Sequence, residues 1–173
     1  MPMLTTPLPR TLILMGVSGC GKTLIGELLA PHVGGVFEDA DNFHTEEAKD
    51  KMRASIPLTD EDRWPWYARL RARIDEMRGR TPCYILACSA LKQIYRDKLL
   101  NGEGHDQMQF IFLDGSFELI NERLSRRKGH YMPANLLHSQ FASLERPADA
   151  ITVSIDQTPE AIAAEILSHF TLP

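Results

Sequence analysis

The sequence predicts an α/β fold in which a five-stranded, parallel, doubly wound sheet carries helices on both faces. Two observations carry that prediction. Apolar runs of strand length alternate with longer segments of helical period, the rhythm of a largely parallel sheet. One junction between such segments, Gly16-Val17-Ser18-Gly19-Cys20-Gly21-Lys22-Thr23, is a complete G-x-x-x-x-G-K-[ST] phosphate-binding loop. A chain of 173 residues with 43% hydrophobic content suits one domain with a sizeable core, so 1–173 reads as a single unit with a flexible lead-in at 1–9.

The expected strands are 11–15, 35–39, 83–88, 109–113 and 151–155. The first of them, Thr11-Leu12-Ile13-Leu14-Met15, is a buried strand leading straight into the phosphate loop. Helices are expected over 22–31, 45–54, 60–78, 90–100, 116–127, 134–145 and 158–169. Thr59-x-x-Asp62 resembles a capping box, and Pro159 sits where a first helical turn tolerates proline. In open sheets of this kind ligands lie beyond the carboxyl ends of the strands, which selects the residues to inspect.

Composition narrows the function classes. The net charge is −4, with Lys and Arg dispersed except at Arg123, Arg126, Arg127 and Lys128, so broad adhesion to nucleic acid is not expected. The three cysteines, Cys20, Cys83 and Cys88, are odd in number and form no C-x-x-C, which argues against a disulfide framework or zinc site and favours a reducing cytoplasm. No apolar stretch approaches the ~18 residues of a membrane span, and the first ten residues lack the basic start and apolar core of an export signal.

In the phosphate loop, glycines let backbone N–H groups face an anion, and the helix starting near Lys22 aims its positive dipole end at the same point. A nucleoside triphosphate is the natural occupant, cradled by Gly16, Ser18, Gly19, Cys20, Gly21, Lys22 and Thr23. Lys22 is expected to reach the β and γ phosphates and Thr23 to place its hydroxyl on Mg²⁺. The second strand runs into Glu38-Asp39-Ala40-Asp41, whose i, i+2 aspartates share one side of an extended chain. Asp41 is assigned to the acceptor hydroxyl and Asp39 to the magnesium shell; the alternative is a solvated acidic loop capping the next helix.

His44 could donate to a polar substrate or be a plain surface histidine. Arg63 follows three acidic residues at a helix start and wants an anion, either a substrate carboxylate or a salt bridge. Trp64 and Trp66 read as packing residues. After the third strand, Ser89 is either a helix N-cap or a site residue, and Lys92 and Arg96, four apart, either present two cations to the crevice or form a solvated face. That strand lacks the terminal aspartate of a Walker B motif, so Mg²⁺ would rely on Thr23, water and Asp39.

The group Arg123-Leu124-Ser125-Arg126-Arg127-Lys128-Gly129-His130 closes a helix before Met132-Pro133. Its cations favour the dipole and Gly129 suits a left-handed cap, yet four cations exceed what capping requires. In a phosphoryl transferase they make sense as a helical lid over 123–133, whose arginines neutralise charge on the transferred group and exclude water.

Taken in order, these blocks resemble the gluconate kinases, small P-loop kinases related to shikimate and adenylate kinases. The further landmarks are Asp39-Ala40-Asp41-Asn42-Phe43-His44, Lys51-Met52 before Ile56-Pro57-Leu58-Thr59-Asp60-Glu61-Asp62-Arg63, Cys88-Ser89-Ala90-Leu91-Lys92 with Tyr95-Arg96-Asp97, Arg127-Lys128-Gly129-His130, and Ser139-Gln140-Phe141 with Leu144-Glu145. The resemblance spans nearly the whole chain. It implies a P-loop kinase fold, ATP- and Mg²⁺-dependent phosphorylation of D-gluconate on its 6-hydroxyl, and a cytoplasmic homodimer acting on a small molecule rather than on nucleic acid or membrane. Asp41, His44, Arg53, Arg63, Ser89, Lys92, Arg96 and His130 are then the expected substrate contacts, and Lys22, Asp41 and Arg127 the catalytic groups. By analogy Arg123 and Arg127 lie near the nucleotide, with Asp156-Gln157-Thr158-Pro159 closing the base pocket around Gln157.

Two departures from the family pattern stand out. Ser55 replaces a usual glycine before Ile-Pro-Leu, in the turn expected to bring Arg53 to Arg63 toward substrate. Cys20 replaces a common serine, either as a harmless small residue or as a thiol activated by the helix N-terminus. Among competing readings, a shikimate or nucleoside monophosphate kinase is disfavoured by the Ser-Ala-Leu-Lys and Asp-x-Asp-x-x-His blocks. A nucleotide-dependent switch is disfavoured by the lack of Asn-Lys-x-Asp.

Overall fold

The computed structural model describes residues 4–126 and 134–172. In chain order the elements are β1 (Thr6–Pro7), β2 (Thr11–Met15), α1 (Lys22–Val33), β3 (Val36–Asp39), a 3-10 turn (Ala40–Phe43), α2 (Glu46–Arg53), α3 (Asp60–Met77), β4 (Tyr84–Ala87), α4 (Gln93–Leu100), β5 (Met108–Asp114), α5 (Phe117–Ser125), α6 (Ala134–Ser143), β6 (Ile151–Ser154), α7 (Pro159–Leu167) and β7 (Phe170–Thr171). The main sheet has the order β3-β4-β2-β5-β6, and every pair in it is parallel, as expected.

Two apolar layers sandwich the sheet. Leu12 and Leu14 of β2 face Ile25, Leu29 and Val33 of α1, Ile120 of α5 and Ile162 and Ile166 of α7. Ile13 and Met15 point the other way, toward Trp66, Leu70 and Ile74 of α3 and Leu99 of α4. The period-two alternation along a wholly buried strand is what a two-faced parallel sheet requires. Trp66 is buried and its indole Nε1 donates to Ala40 O at 2.8 Å, so the packing role expected of it holds.

Several helix starts follow the local chemistry. Thr59 and Asp62 form a reciprocal capping box on α3, and Thr158 caps α7 with Pro159 in its first turn. Two expectations need correction. Residues 1–9, read as a flexible lead-in, include Thr6 and Pro7, which pair in parallel with Phe170 and Thr171. Two residues of strand carry no periodicity, so nothing local announced this pair. The fourth expected helix, 90–100, begins only at Gln93, because Glu145 Oε1 accepts from Gln93 N at 3.1 Å and Ala90 adopts φ +45°.

The turn after α2 explains the departure at Ser55. Ser55 N donates to Met52 O at 3.1 Å and Ile56 N to Lys51 O at 2.8 Å, a Schellman ending that places Ser55 at φ +59°. A β-carbon there crowds the following carbonyl, which glycine avoids. Ser55→Gly is expected to raise stability by about 1 kcal/mol and the melting midpoint by roughly 2–4 °C, read by thermal unfolding. Across this turn Lys51 Nζ, not Arg53, joins the two helices, donating to both Asp62 oxygens at 2.9 and 2.8 Å.

The far end of α3 is held to the loop after α4 by Glu103, which accepts from Arg78 Nη1 and Nη2 at 2.7 and 2.6 Å and from Arg71. These guanidiniums, Arg78 foremost, bring the carboxyl down from its ordinary 4.5 to about 2. A depressed folded-state value means the stabilisation is complete above pH about 4.5 and lost as pH falls toward about 2. Glu103→Gln is expected to be less stable at pH 7 by about 1 kcal/mol, with the deficit vanishing by pH about 2 in acid-unfolding curves.

Candidate active site

The site is assembled at the carboxyl ends of β2, β3 and β4, neighbours in the sheet. Gly16 leaves β2 at φ +145°, where an added β-carbon would lie 2.8 Å from Cys20 Sγ and 3.0 Å from Leu113 O, so only glycine lets the loop fold so closely on β5. Gly21, at φ +99°, is the N-cap of α1. Unlike α3, α5 and α7, α1 has no side-chain cap and no acidic residue in its first turn. Its first N–H groups are therefore left for an anion.

A cavity of about 340 Å³ opens over this helix end, lined by Ser18, Gly19, Gly21, Lys22 and Thr23 of the loop together with Asp39, Asp41 and Ser89. Lys22 Nζ donates to Gly16 O at 2.9 Å and Val17 O at 3.1 Å, a folded-back pose inside the loop. Thr23 Oγ1 donates to Asp39 Oδ2 at 3.1 Å, while Asp39 Oδ1 accepts from Asp41 N at 2.9 Å. Asp39 thus caps the 3-10 turn and also accepts from Thr23. A hydroxyl beside a carboxylate is a hard oxygen pair suited to Mg²⁺ completed by water and phosphate oxygens. Among the described residues no group of three acidic, His or Cys side chains could hold a metal without such help.

Glu38, also in the acidic run, is bound by Arg73 at 2.8 and 3.0 Å and by the Tyr84 hydroxyl at 2.8 Å. Asp39 and Asp41 alone of that run line the cavity. Asp41 is 77% exposed, with His44 Nε2 at 3.6 Å. The imidazole, with Lys22 beyond, holds the Asp41 carboxyl below its ordinary range. His44 itself is buried and stacks on Trp66 at 4.1 Å between ring centroids, so it supports Asp41 from beneath and is not the exposed loop histidine that was one alternative.

The remaining expected residues fall into four groups. Arg63 and Lys92 flank one carboxylate: Asp60 Oδ1 lies 3.7 Å from Arg63 Nη1 and 3.9 Å from Lys92 Nζ and accepts from the Tyr95 hydroxyl, while Arg63 also donates to Leu58 O at 2.8 Å. Arg53 is exposed and pairs with Asp50 of its own helix. Arg123 Nη2 donates to Ile155 O at 2.8 Å, and Gln157 Nε2 to Ser154 O at 2.9 Å and Glu165 Oε1 at 3.2 Å; both brace the end of β6, where the base pocket is expected. Arg127, Lys128, Gly129 and His130, most of the expected lid, lie outside the described residues.

One reading is corrected here, and the alternatives at two further residues are narrowed. Arg96 does not present a cation to the crevice. It is 2% exposed, and its guanidinium donates to Ala90 O at 2.7 Å and Glu145 O at 2.8 Å, because α4 starts late and turns it inward. Ser89 is not a helix N-cap; its carbonyl accepts from Gly16 N at 3.2 Å and ties β4 to the phosphate loop. Cys20 is 1% exposed and fills the space under Gly16, a packing role that removes the thiol from reagents. Burial likewise pushes the Cys83 and Cys88 thiols up to about 12.

Sequence reasoning singled out Gln140 and Glu145 without assigning them a role. Glu145 caps α4 and anchors Arg96, and Gln140 contacts Ser18 of the phosphate loop. Their only signal was membership of the Ser139-Gln140-Phe141 and Leu144-Glu145 blocks.

A parallel sheet with an uncapped helix behind G-x-x-x-x-G-K-T, a hydrogen-bonded Thr–Asp pair and a second aspartate in the same cavity define a P-loop phosphotransferase. Residues 18–171 match the family model described as shikimate kinase. A gluconokinase of Gluconobacter oxydans is 41% identical over 166 residues, covering 94% of this chain and 92% of its own. The thermosensitive gluconokinase of Escherichia coli is 47% identical over 138 residues, covering 80% and 73%. The crystal structure of a gluconokinase from Sinorhizobium meliloti superposes with a TM-score of 0.83 at 38% identity, over 94% of this chain and 92% of that one. The chain belongs to the gluconokinase family, within the shikimate kinase group of P-loop kinases.

Proposed function

We propose that this kinase transfers the γ-phosphoryl group of ATP to the 6-hydroxyl of D-gluconate, giving 6-phospho-D-gluconate and ADP. The observation that carries the reading is the convergence of Lys22, Thr23, Asp39 and Asp41 on one cavity in a chain whose relatives are gluconokinases. The loop N–H groups and Lys22 would hold the phosphates, and Thr23 with Asp39 would hold Mg²⁺, which when bound draws charge off the phosphate oxygens. Asp41 orients the acceptor hydroxyl. Its lowered pKa keeps it an anion that accepts a hydrogen bond from the hydroxyl, so positioning precedes any proton movement. Arg63 and Lys92 supply positive charge for the gluconate carboxylate. Arg127 and His130 are assigned to the lid and substrate, Arg123 and Gln157 to the nucleotide end.

The same reading makes the protein a cytoplasmic homodimer feeding gluconate into the pentose phosphate and Entner–Doudoroff routes. Its cysteines are all unpaired, which suits a reducing compartment, and no described helix is long and apolar enough to cross a membrane. The test is ADP release by purified protein with ATP and Mg²⁺, offering D-gluconate, shikimate, other sugar acids and nucleoside monophosphates in turn. Turnover confined to gluconate is expected; turnover with another acceptor and none with gluconate overturns the reading.

A further inference from the structure

Gln140 lies on α6, 122 residues from Ser18, yet its amide grips that residue twice. Ser18 N donates to Gln140 Oε1 at 2.7 Å, and Gln140 Nε2 donates to Ser18 Oγ at 2.9 Å. The main-chain N–H can only donate, which fixes Oε1 against it and leaves Nε2 for the hydroxyl. Two consequences follow for the cradle. The Ser18 N–H is turned away from the cavity into the amide. The Ser18 hydroxyl, having accepted from Nε2, keeps its own proton free to donate, and Ser18 lines the cavity where phosphate is to sit.

The arm that delivers this amide is well anchored. Leu137 is fully buried in the layer beneath the sheet, His138 stacks on Phe117 of α5 at 4.0 Å, and Phe141 meets the same ring edge-on at 5.7 Å. In sequence, α6 directly follows the basic segment that carries Arg127 and His130.

We propose that Gln140 is a positioning residue that sets the phosphate loop through Ser18, so that the remaining loop N–H groups and the Ser18 hydroxyl face the β-phosphate of the nucleotide. It touches no reacting atom; it acts through the loop. The proposal rests on the loop's binding a nucleoside triphosphate, and the test separates the two ideas. Gln140→Met keeps the length of the side chain and removes both hydrogen bonds. With Mg²⁺ present, calorimetric binding of ADP is expected to weaken about tenfold, while AMP, which has no β-phosphate, changes less than twofold and KM for D-gluconate is unchanged. Ser18→Ala, which removes only the hydroxyl, is expected to give a smaller loss with the same ADP selectivity. The double variant is expected to bind ADP no more weakly than Gln140→Met.

Unchanged ADP affinity in Gln140→Met, or equal loss for ADP and AMP, overturns the proposal, the latter because a general packing role moves both ligands together. Wild-type protein that binds ADP no better than AMP removes the nucleotide reading itself and the proposal with it.

Discussion

Replacing Lys22 with alanine is expected to lower kcat/KM for phosphoryl transfer by about a thousandfold or more while leaving a folded protein. Among the described residues the ammonium is the one side-chain cation that lines the loop cavity, and its present partners are two loop carbonyls, Gly16 O and Val17 O. These are neutral acceptors that hold the charge without quenching it, so an arriving β–γ phosphate group offers a stronger partner across the same cavity. Without Lys22 the negative charge that shifts toward the leaving oxygen would be met within the loop by N–H dipoles alone. The cost to stability is small because water in the open cavity can replace the ammonium at both carbonyls; a melting midpoint within a few degrees of wild type is expected. ADP release and thermal unfolding on the same preparation check the result. Turnover within threefold of wild type would remove Lys22 from the chemistry.

The parts of this architecture that were legible in the sequence are those encoded locally. Thr11 to Met15 is apolar at every position because both faces of a central parallel strand are covered, and the glycines at 16, 19 and 21 announce the loop by spacing alone. The Asp39–Thr23 pair was also legible, since strand β3 ends beside the start of α1 and each residue had an independent chemical reason to be there. The illegible parts depend on partners far along the chain. Whether α4 starts at residue 90 or 93 is decided by Glu145, whose carboxylate caps Gln93 from more than fifty positions away. That shift turns Arg96 from an exposed neighbour of Lys92 into a buried clamp on Ala90 O and Glu145 O. Helical spacing alone could not have distinguished the two.

The cluster of Arg63, Asp60 and Lys92 illustrates the same limit. Arg63 was expected to seek an anion, and the structure supplies Asp60, held by the Tyr95 hydroxyl and flanked by Lys92. Both cation-to-carboxylate distances exceed normal hydrogen-bond length, so neither Arg63 nor Lys92 is saturated by this contact. Salt bridge and substrate clamp, framed as alternatives in the sequence, are compatible in three dimensions. An acidic residue that partly neutralises two cations lowers the cost of keeping them together before an anionic substrate arrives.

Asp41→Asn is expected to lower kcat by about 10²- to 10⁴-fold with ADP affinity changed less than twofold. The carboxylate stands on the 3-10 turn that Asp39 caps, its backbone N–H fixed by Asp39 Oδ1 and its side chain steadied by His44, which the Trp66 ring supports from below. This chain of contacts holds it at the wall of the cavity that Lys22 and Thr23 also line, within reach of an acceptor hydroxyl bound there. The amide of asparagine matches the shape but replaces one acceptor oxygen with a donor, so the hydroxyl can be turned the wrong way and its developing positive charge is left unmatched. Nucleotide affinity depends on the loop and Lys22 and should persist. Kinetics against gluconate and ADP calorimetry on the same variant separate the outcomes: a fall in kcat with ADP binding retained supports the assignment. Loss of folded protein, or wild-type turnover, would return Asp41 to the role of an acidic loop residue.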